Sequence, residues 1–399
     1  MFSKNRHPDY RKPLDPADQK VLGQGAVSAV RRFLAYRQDD RPTPLVSLPA
    51  LASRLGVGTL TIKDESTRLG LGSFKALGGA FAVLNLVLDA ARDQLQVPLD
   101  FADLDKPQVR SAADKMTFGC ATDGNHGRSV AAGAEMVGAR AAIFVHEGVS
   151  EQRVAAIARF GAQIIRVRGT YDDAVAEAAR ICAANGWIVV SDTSWPGYER
   201  IPGLVMRGYT VMVDEALRSS EAPPTHAFIQ AGVGGLAAAV AGHLTARLGK
   251  ERPKFIVVEP SRAACVLSSA KVNHPIKIAH GEPTVMAMLE CYEPSLVAWR
   301  VLSRCADVFM TVEEQDAIEA MRTLANPQKG DQPIVAGESG GAGLAGLLCA
   351  CRDDHMREML ELNQSSRVLL INTEGATDPD RYRQLIGTNP AEVLRAAVI

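Results

Sequence analysis

Short apolar strands alternate with single helices in three stretches of the chain, and this alternation limits the possible folds more than any other feature. The stretches cover residues 116–148, 151–192 and 225–260, and each contains glycine in the turn between strand and helix. Strands separated by single amphipathic helices form parallel βαβ units, whose sheet is covered by helices on both faces. The sequence therefore predicts an α/β fold with mostly parallel sheets covered by helices.

The charge of the chain is nearly balanced, with 44 basic and 45 acidic residues among 399 and a net charge of -1. A chain of this length buries one large or two medium cores, and this balance provides no strongly charged surface for nucleic acid or an anionic membrane. We therefore expect an enzyme that acts on a small molecule, with no nucleic-acid partner.

The N-terminal segment, residues 1–16, carries charges and prolines where a signal peptide needs an apolar core. The longest apolar runs are interrupted, for example at Asn85 and Asp89, so no transmembrane helix and no membrane partner are predicted. Seven cysteines without C-x-x-C pairs or His/Cys clusters indicate a reducing compartment and no metal site. We expect a cytoplasmic protein, and the sequence leaves open whether Cys265 and Cys291 pair.

One lysine is placed where it would react with a carbonyl group. Lys75 follows a turn loosened by Gly70, Gly72 and Ser73, and it precedes an apolar helix. An ammonium against a buried apolar surface loses solvation, which lowers the pKa of a lysine and makes its amine nucleophilic. Lys75 is therefore the candidate reactive residue.

The order Ser73-Phe74-Lys75, followed by Gly78 and Gly79, resembles the Schiff-base lysine motif of the fold-type II pyridoxal phosphate enzymes. This tryptophan synthase β-like group includes serine and threonine dehydratases and diaminopropionate ammonia-lyases. The resemblance implies pyridoxal 5′-phosphate as cofactor and a homodimer. It also implies two domains, a large cofactor-binding domain formed by residues 1–93 and 191–399 and a small mobile domain formed by residues 94–190.

The resemblance also implies which residues hold the cofactor. Phe74 would pack on its ring, Asn125 in the loop TDGNHG would hydrogen-bond its 3′-oxygen, and Thr373 would place a hydroxyl at its pyridine nitrogen. Asn125 would alternatively serve as the N-cap of the helix that follows. The 5′-phosphate would lie against backbone amides at a helix start, namely those of Gly232, Val233, Gly234, Gly235 and Leu236.

The same glycine turn fits a second class of cofactor. Gly232, Gly234 and Ala237 match the dinucleotide fingerprint G-x-G-x-x-A, and Glu259 ends the next strand where a ribose-binding acid belongs. The fingerprint usually opens the first βαβ unit of a domain, whereas this turn follows two others. A nicotinamide-dependent oxidoreductase, which needs no lysine, is therefore the alternative of another class.

Two aspartates are candidate catalytic residues. Dehydratases carry serine at the position of Asp123, whereas diaminopropionate ammonia-lyases carry a carboxylate there. Thr122 and Asn125 already provide for helix capping, and a carboxylate in a dry cleft is unfavourable unless it pairs with a cation such as a substrate ammonium. Asp192 follows a strand, where α/β sheets place ligands, and DTSWPGY resembles the ammonia-lyase segment.

The sequence therefore predicts a pyridoxal phosphate-dependent lyase resembling diaminopropionate ammonia-lyase, with Lys75, Asp123 and Asp192 as catalytic residues. The predicted reaction is α,β-elimination of D- or L-2,3-diaminopropionate to pyruvate and ammonia. If the resemblance holds, Lys75 takes the α-proton of the L-isomer and Asp123 that of the D-isomer. A serine or threonine dehydratase remains the alternative within the family.

Overall fold

The computed structural model describes residues 1–396. The chain divides into two compact units. The large unit consists of Met1–Gln24, Pro42–Thr67 and the described residues from Met212 onwards, and the small unit consists of Gly25–Arg41 and Arg68–Val211.

The strands, in chain order, are β1 Phe2–Lys4, β2 Leu45–Ser47, β3 Thr59–Asp64, β4 Thr117–Ala121, β5 Arg140–His146, β6 Gln163–Val167, β7 Ile188–Val189, β8 His226–Gln230, β9 Lys254–Pro260, β10 Val308–Val312 and β11 Arg367–Asn372. The helices are α1 Pro16–Leu22, α2 Ala26–Tyr36, α3 Pro49–Leu55, α4 Gly78–Leu95, α5 Pro107–Ala113, α6 Asn125–Val137, α7 Glu151–Ala158, α8 Tyr171–Asn185, α9 Arg200–Ser219, α10 Gly235–Leu248, α11 Cys265–Val272, α12 Leu296–Cys305, α13 Glu314–Ala325, α14 Ala342–Arg352, α15 Asp354–Leu360, α16 Pro379–Ile386 and α17 Pro390–Ala396.

The large unit is built on a seven-stranded sheet in the order β1-β10-β9-β8-β11-β3-β2. Its inner strands pair in parallel, and the edge strands β1 and β2 pair antiparallel to their neighbours. Residues on both faces of the inner strands are buried, as in β9, where Phe255, Ile256, Val257 and Val258 are at most 1 % exposed. Such continuous apolar strands are typical of a sheet covered on both sides.

The small unit contains a four-stranded parallel sheet in the order β6-β5-β4-β7. The helices α4 and α6 pack closely where Gly133 faces Ala80. A methyl group added at Gly133 would lie only 2.7 Å from the Cα atom of Ala80. The predicted α/β fold with mostly parallel sheets is confirmed. In both sheets, loops that carry candidate site residues follow directly after parallel strands.

The two compact units have other boundaries than the predicted domains, since residues 25–41, 68–93 and 191–211, expected in the large domain, lie in the small unit. The reason is packing of α4 within this unit. Phe81 of α4 contacts Phe33 of α2 and Phe101, with ring centroids 5.7 Å apart in both pairs. The expected mobility of a small domain stays a prediction.

The segment Phe74–Leu95, which ends with α4, is long and apolar enough to cross a membrane by length and composition alone. The sequence analysis expected the polar residues Asn85 and Asp89 to exclude a membrane-spanning helix, but the segment passes this test in spite of them. Within the small unit, however, 78 % of its most apolar window is buried. The segment therefore has the surroundings of a core helix.

Candidate active site

Lys75 and Asp192 form an ion pair in the small unit. Lys75 lies in the short 3-10 turn Phe74–Leu77, which follows Ser73 in extended conformation. Its Nζ atom is 2.5 Å from Oδ2 of Asp192, and the two side chains are only 20 % and 15 % exposed. Burial raises the pKa of Asp192, but the Lys75 ammonium, together with His126 and the hydrogen bonds to the carboxylate, holds this pKa well below its ordinary value.

The loop after β7 is fixed on both sides of Asp192. The Tyr198 hydroxyl accepts a hydrogen bond from the Ser191 amide at 3.0 Å and donates one to the Val189 carbonyl at 2.8 Å. Nε2 of His126 donates to the Val190 carbonyl at 2.9 Å. Burial lowers the pKa of His126, so its ring is neutral near pH 7 and holds the Val190 carbonyl in place.

Asp123 lies in the loop between β4 and α6 and takes no part in capping that helix. The Thr122 hydroxyl accepts hydrogen bonds from the amides of Gly124 and Gly127, both at 3.0 Å. The Asp123 carboxylate instead contacts Nε2 of His146 at 2.9 Å, and one quarter of its side chain is exposed. Asp123 therefore presents a carboxylate that the loop does not need for its own stability.

Asn125 is the first residue of α6 and not its N-cap, because that position belongs to Gly124. The side-chain oxygen of Asn125 accepts a hydrogen bond from Nη2 of Arg128 at 2.6 Å. With Oδ1 fixed as an acceptor, Nδ2 is the donor of this side chain. An Asn oriented in this way suits an anionic oxygen such as the cofactor's 3′-oxygen.

The thiol of Cys120, the residue before the end of β4, feels the charges of three candidate site residues of the small unit. Burial raises the pKa of the Cys120 thiol, and the charges of Asp192 and Asp123 raise it further, whereas Lys75 opposes them. All three charges therefore act on one buried thiol. Of the three residues that the sequence analysis named as catalytic, Lys75 and Asp192 are in direct contact, and Asp123 contacts His146.

Phe74 packs on Tyr209, a residue that the sequence analysis did not single out. Their ring centroids are 4.7 Å apart, and Tyr209 occupies the space that a side chain at Gly78 would need. The Tyr209 hydroxyl is buried without a hydrogen-bond partner in the part of the chain that the structure describes. The only sequence signal for this residue is a hydroxyl within a largely apolar helical stretch.

The glycine turn of the large unit presents backbone amides at the start of α10, a helix of 14 residues whose first amides have no helical acceptor. Gly234 has a φ of +94°, which favours glycine. A methyl group at Gly232 would lie 3.0 Å from the Cys291 sulfur, and one at Gly234 would lie 3.2 Å from the Ala298 Cβ atom. Side chains at Gly232 and Gly234 would therefore crowd their neighbours. The glycine turn fits a phosphate group held by the backbone amides at the start of α10.

Glu259 does not serve as a ribose-binding acid, contrary to the alternative that the fingerprint suggested. Its two carboxyl oxygens accept the amides of Val266 and Leu267, both at 2.7 Å, and its side chain is completely buried. Burial raises the pKa of Glu259 to about 8, against the opposing effect of these hydrogen bonds. The residue is a structural cap for α11, which counts against a nicotinamide cofactor.

Thr373 lies buried beside Gln230, a second residue that the sequence analysis missed. Nε2 of Gln230 donates to Thr373 Oγ1 at 3.1 Å and to the Gly340 carbonyl at 2.9 Å. Because Thr373 accepts this bond, its own proton is available for donation. The sequence signal for Gln230 was a polar residue that ends the otherwise apolar core of strand β8.

Cys265 and Cys291 are both thiols, so they do not form a disulfide. They lie at the glycine turn, where the Cys265 sulfur is 3.7 Å from the Gly232 carbonyl. Burial raises the pKa of Cys265 well above its ordinary value. Both thiols therefore act as packing groups beneath the turn.

The fold, the turn that carries Lys75 and the glycine turn before α10 are those of a fold-type II pyridoxal phosphate enzyme. Residues 36–374 match the sequence family described as "Pyridoxal-phosphate dependent enzyme". The chain belongs to this family. The cofactor is therefore pyridoxal phosphate, and the resemblance stated from the motifs is confirmed.

The chain is similar to diaminopropionate ammonia-lyase from Escherichia coli K12, with 38 % identity over 389 residues, 94 % of this chain and 96 % of the relative. The crystal structure of the Escherichia coli enzyme in complex with an aminoacrylate-PLP azomethine reaction intermediate has a TM-score of 0.86 and 36 % identity, covering 97 % of this chain and 96 % of that chain. The structure of the same enzyme with D-serine has a TM-score of 0.87 and 35 % identity, with the same coverage.

Proposed function

We propose that the protein catalyses α,β-elimination of 2,3-diaminopropionate, in its D and L forms, to pyruvate and ammonia. The observation that carries this proposal is the Asp123 carboxylate, which stands where dehydratases have serine and is not used by the hydrogen bonds of its own loop. The similarity to diaminopropionate ammonia-lyase along nearly the whole chain supports the same reaction.

The residues around the site fit the cofactor. Lys75 would hold its carbonyl carbon, Asn125 its 3′-oxygen and Thr373 its pyridine nitrogen, while the five amides from Gly232 to Leu236 would hold its phosphate. When bound, pyridoxal phosphate supplies the electron sink that stabilises negative charge at the substrate α-carbon. A neutral threonine hydroxyl at the ring nitrogen suits elimination, in which the negative charge is released with the leaving group.

Lys75 and Asp123 have separate tasks in this proposal. Nζ of Lys75 takes the α-proton of the L-isomer, and the Asp123 carboxylate takes that of the D-isomer. Because its pKa is low, Asp192 stays anionic near neutral pH and serves as a charge partner for an ammonium group and not as a base.

The leaving group follows from the charges of the site. A β-ammonium group can pair with Asp123 or Asp192, whereas a β-hydroxyl offers neither carboxylate a cation. The elimination breaks the bond between the β-carbon and nitrogen and releases ammonia. Hydrolysis of the resulting aminoacrylate gives pyruvate and a second ammonia, so the overall ratio is about two ammonia per pyruvate.

The test is a comparison of kcat/KM for the two isomers of diaminopropionate with the values for L-serine and L-threonine, together with the ammonia-to-pyruvate ratio. We expect the diamine to be preferred. Higher kcat/KM for L-serine or L-threonine than for either diaminopropionate isomer would replace the ammonia-lyase proposal with a dehydratase.

We also propose a cytoplasmic homodimer whose small domain closes over the large one during substrate exchange. The support for the dimer and for closure is the family resemblance. Analytical ultracentrifugation tests the dimer, and small-angle X-ray scattering with and without a substrate analogue tests closure. A monomer, or identical scattering in both states, would overturn the respective proposal.

A further inference from the structure

His146, the last residue of β5, contacts Asp123 through a side chain whose proton position follows from its other partner. The backbone amide of Gly148 donates to Nδ1 of His146 at 3.1 Å. Because Nδ1 is an acceptor, the proton of a neutral ring lies on Nε2. Nε2 therefore donates to Oδ1 of Asp123, 2.9 Å away.

The turn after β5 holds the imidazole in this orientation. The Val149 amide donates to the His146 carbonyl at 3.2 Å and closes the turn. Ser150 then caps α7 by accepting the Arg153 amide. A methyl group at Gly148 would lie 2.7 Å from Cε1 of the ring, so the imidazole fills the space beside this glycine.

We propose that His146 is a positioning residue that fixes the Asp123 carboxylate for reaction with the D-isomer of the substrate. Its N–H group holds Oδ1, which leaves Oδ2 to face the substrate as the proton acceptor. This inference rests on the proposed function, because it concerns the base assigned to one of the two isomers.

The bases assigned to the two isomers have different charged or polar partners. Lys75, the base assigned to the L-isomer, has its own carboxylate partner in Asp192, and His146 makes its bond to Asp123. The aliphatic part of Arg153 lies beside Gly124 in the same loop, 3.4 Å from a methyl group placed there. Loss of the imidazole should therefore disturb the D-isomer reaction and leave the L-isomer reaction intact.

The kinetic test compares His146→Phe and His146→Gln with the unmodified holoenzyme on both isomers. His146→Phe keeps a ring but removes the donor, and we expect kcat for the D-isomer to fall by ~10- to 100-fold, the size of effect that a misplaced catalytic group produces. His146→Gln places an N–H group near the position of Nε2 and should restore most of this loss. The value for the L-isomer should not change.

Two further variants separate positioning from a general structural effect. Gly148→Ala pushes the imidazole from its place and should reproduce the selective loss. In an Asp123→Asn background, His146→Phe should cause no additional loss, because the two residues act as one unit. His355→Phe changes an exposed histidine, whose ring centroid lies 5.7 Å from that of Phe2, and this matched control should behave like the unmodified enzyme.

A measurement without substrate tests the contact itself. In protein labelled with ¹⁵N at histidine, the His146 ring should show the Nε2–H form, and its signals should shift in Asp123→Asn. The Nδ1–H form, equal losses on both isomers in His146→Phe, or no loss would overturn the inference. An unmodified enzyme that turns over neither isomer would instead refute the proposed function, while the ¹⁵N spectrum would still decide the contact.

Discussion

The Lys75 ammonium lies 2.5 Å from a carboxylate oxygen of Asp192, although the two residues are 117 positions apart in the chain. The pair joins the turn before α4 to the loop after β7, and it keeps the carboxyl group ionised. The two segments are distant in the sequence and meet only when the small unit folds, so the ion pair depends on that fold. It links the residue expected to bind the cofactor with an anion suited to the substrate.

Borohydride reduction of the holoenzyme should attach the cofactor to Lys75, because this lysine stands in the Schiff-base motif. Peptide mapping by mass spectrometry identifies the labelled residue. Lys63 is a suitable internal control, since it is 1 % exposed and bound to Glu215 at 2.6 Å. Label on any lysine other than Lys75 would show that the cofactor-binding residue is wrongly assigned.

Replacement of the Asp123 carboxylate should distinguish the two substrate isomers. Asp123→Asn keeps the shape of the side chain but removes the base, and kcat for D-diaminopropionate should fall by about 10²- to 10⁴-fold. The L-isomer should lose much less, because Lys75 serves as its base. Steady-state kinetics on both isomers provide the measurement, and equal losses would indicate that Asp123 acts only through its charge.

Replacement of the Asp123 carboxylate by a hydroxyl group should change the preferred leaving group. Asp123→Ser removes the partner of a β-ammonium and should move the ratio of kcat/KM values towards L-serine. Competition between L-serine and L-diaminopropionate measures this ratio directly. An unchanged ratio would mean that the β-ammonium group pairs elsewhere in the site, with Asp192 as the first residue to examine.

The glycine turn should be sensitive to substitution through cofactor binding. Gly234→Ala places a side chain at a φ of +94° and 3.2 Å from Ala298 Cβ, so it should displace the amides and weaken pyridoxal phosphate binding. Gly249→Ala is the matched control, because its φ is +57° and no atom lies within 4 Å of the added methyl group. Both variants should lose stability through backbone strain of about 1–2 kcal/mol. Only Gly234→Ala should have a higher Kd in a fluorescence titration, and equal Kd values would contradict the assignment of the turn.

A buried ion pair in the large unit should make stability depend on pH. Asp307 is 8 % exposed and lies 2.7 Å from Nη1 of Arg252. Burial raises the pKa of Asp307, but Arg252 and the Phe255 amide outweigh this effect and lower it. The stabilisation is therefore complete above the pKa of an unfolded aspartate, about 4, and is lost as the pH falls through the lower pKa of the folded state.

Asp307→Asn should reduce the free energy of unfolding at pH 7 by about 3–5 kcal/mol, as expected when one partner of a buried pair is removed. The difference from the unmodified protein should shrink below pH 4. Urea denaturation at several pH values gives the measurement. Asp105→Asn, in an exposed pair with Arg110, should have little effect at any pH, and a pH-independent difference for Asp307→Asn would argue against the ion pair.

The fold class and the cofactor motifs were predictable because both depend on local sequence. Alternating strands and helices define parallel βαβ units, and the glycines before α10 are needed where the backbone must approach a phosphate. The contacts of His146, Tyr209 and Gln230 were not predictable, because each connects segments that only the fold brings together. The bounds of the compact units depend on the fold in the same way, since α2 and α4 join the small unit by aromatic packing that involves Phe101.

The hydrogen bonds of Thr122 also bear on how enzymes with this fold diverge. Its hydroxyl satisfies the amides of Gly124 and Gly127, so the residue between Thr122 and Gly124 carries none of the loop's own hydrogen bonding. Evolution can therefore exchange carboxylate and hydroxyl at position 123 without rebuilding the loop or the helix behind it. A new leaving-group preference at this position would then require no matching change in the backbone.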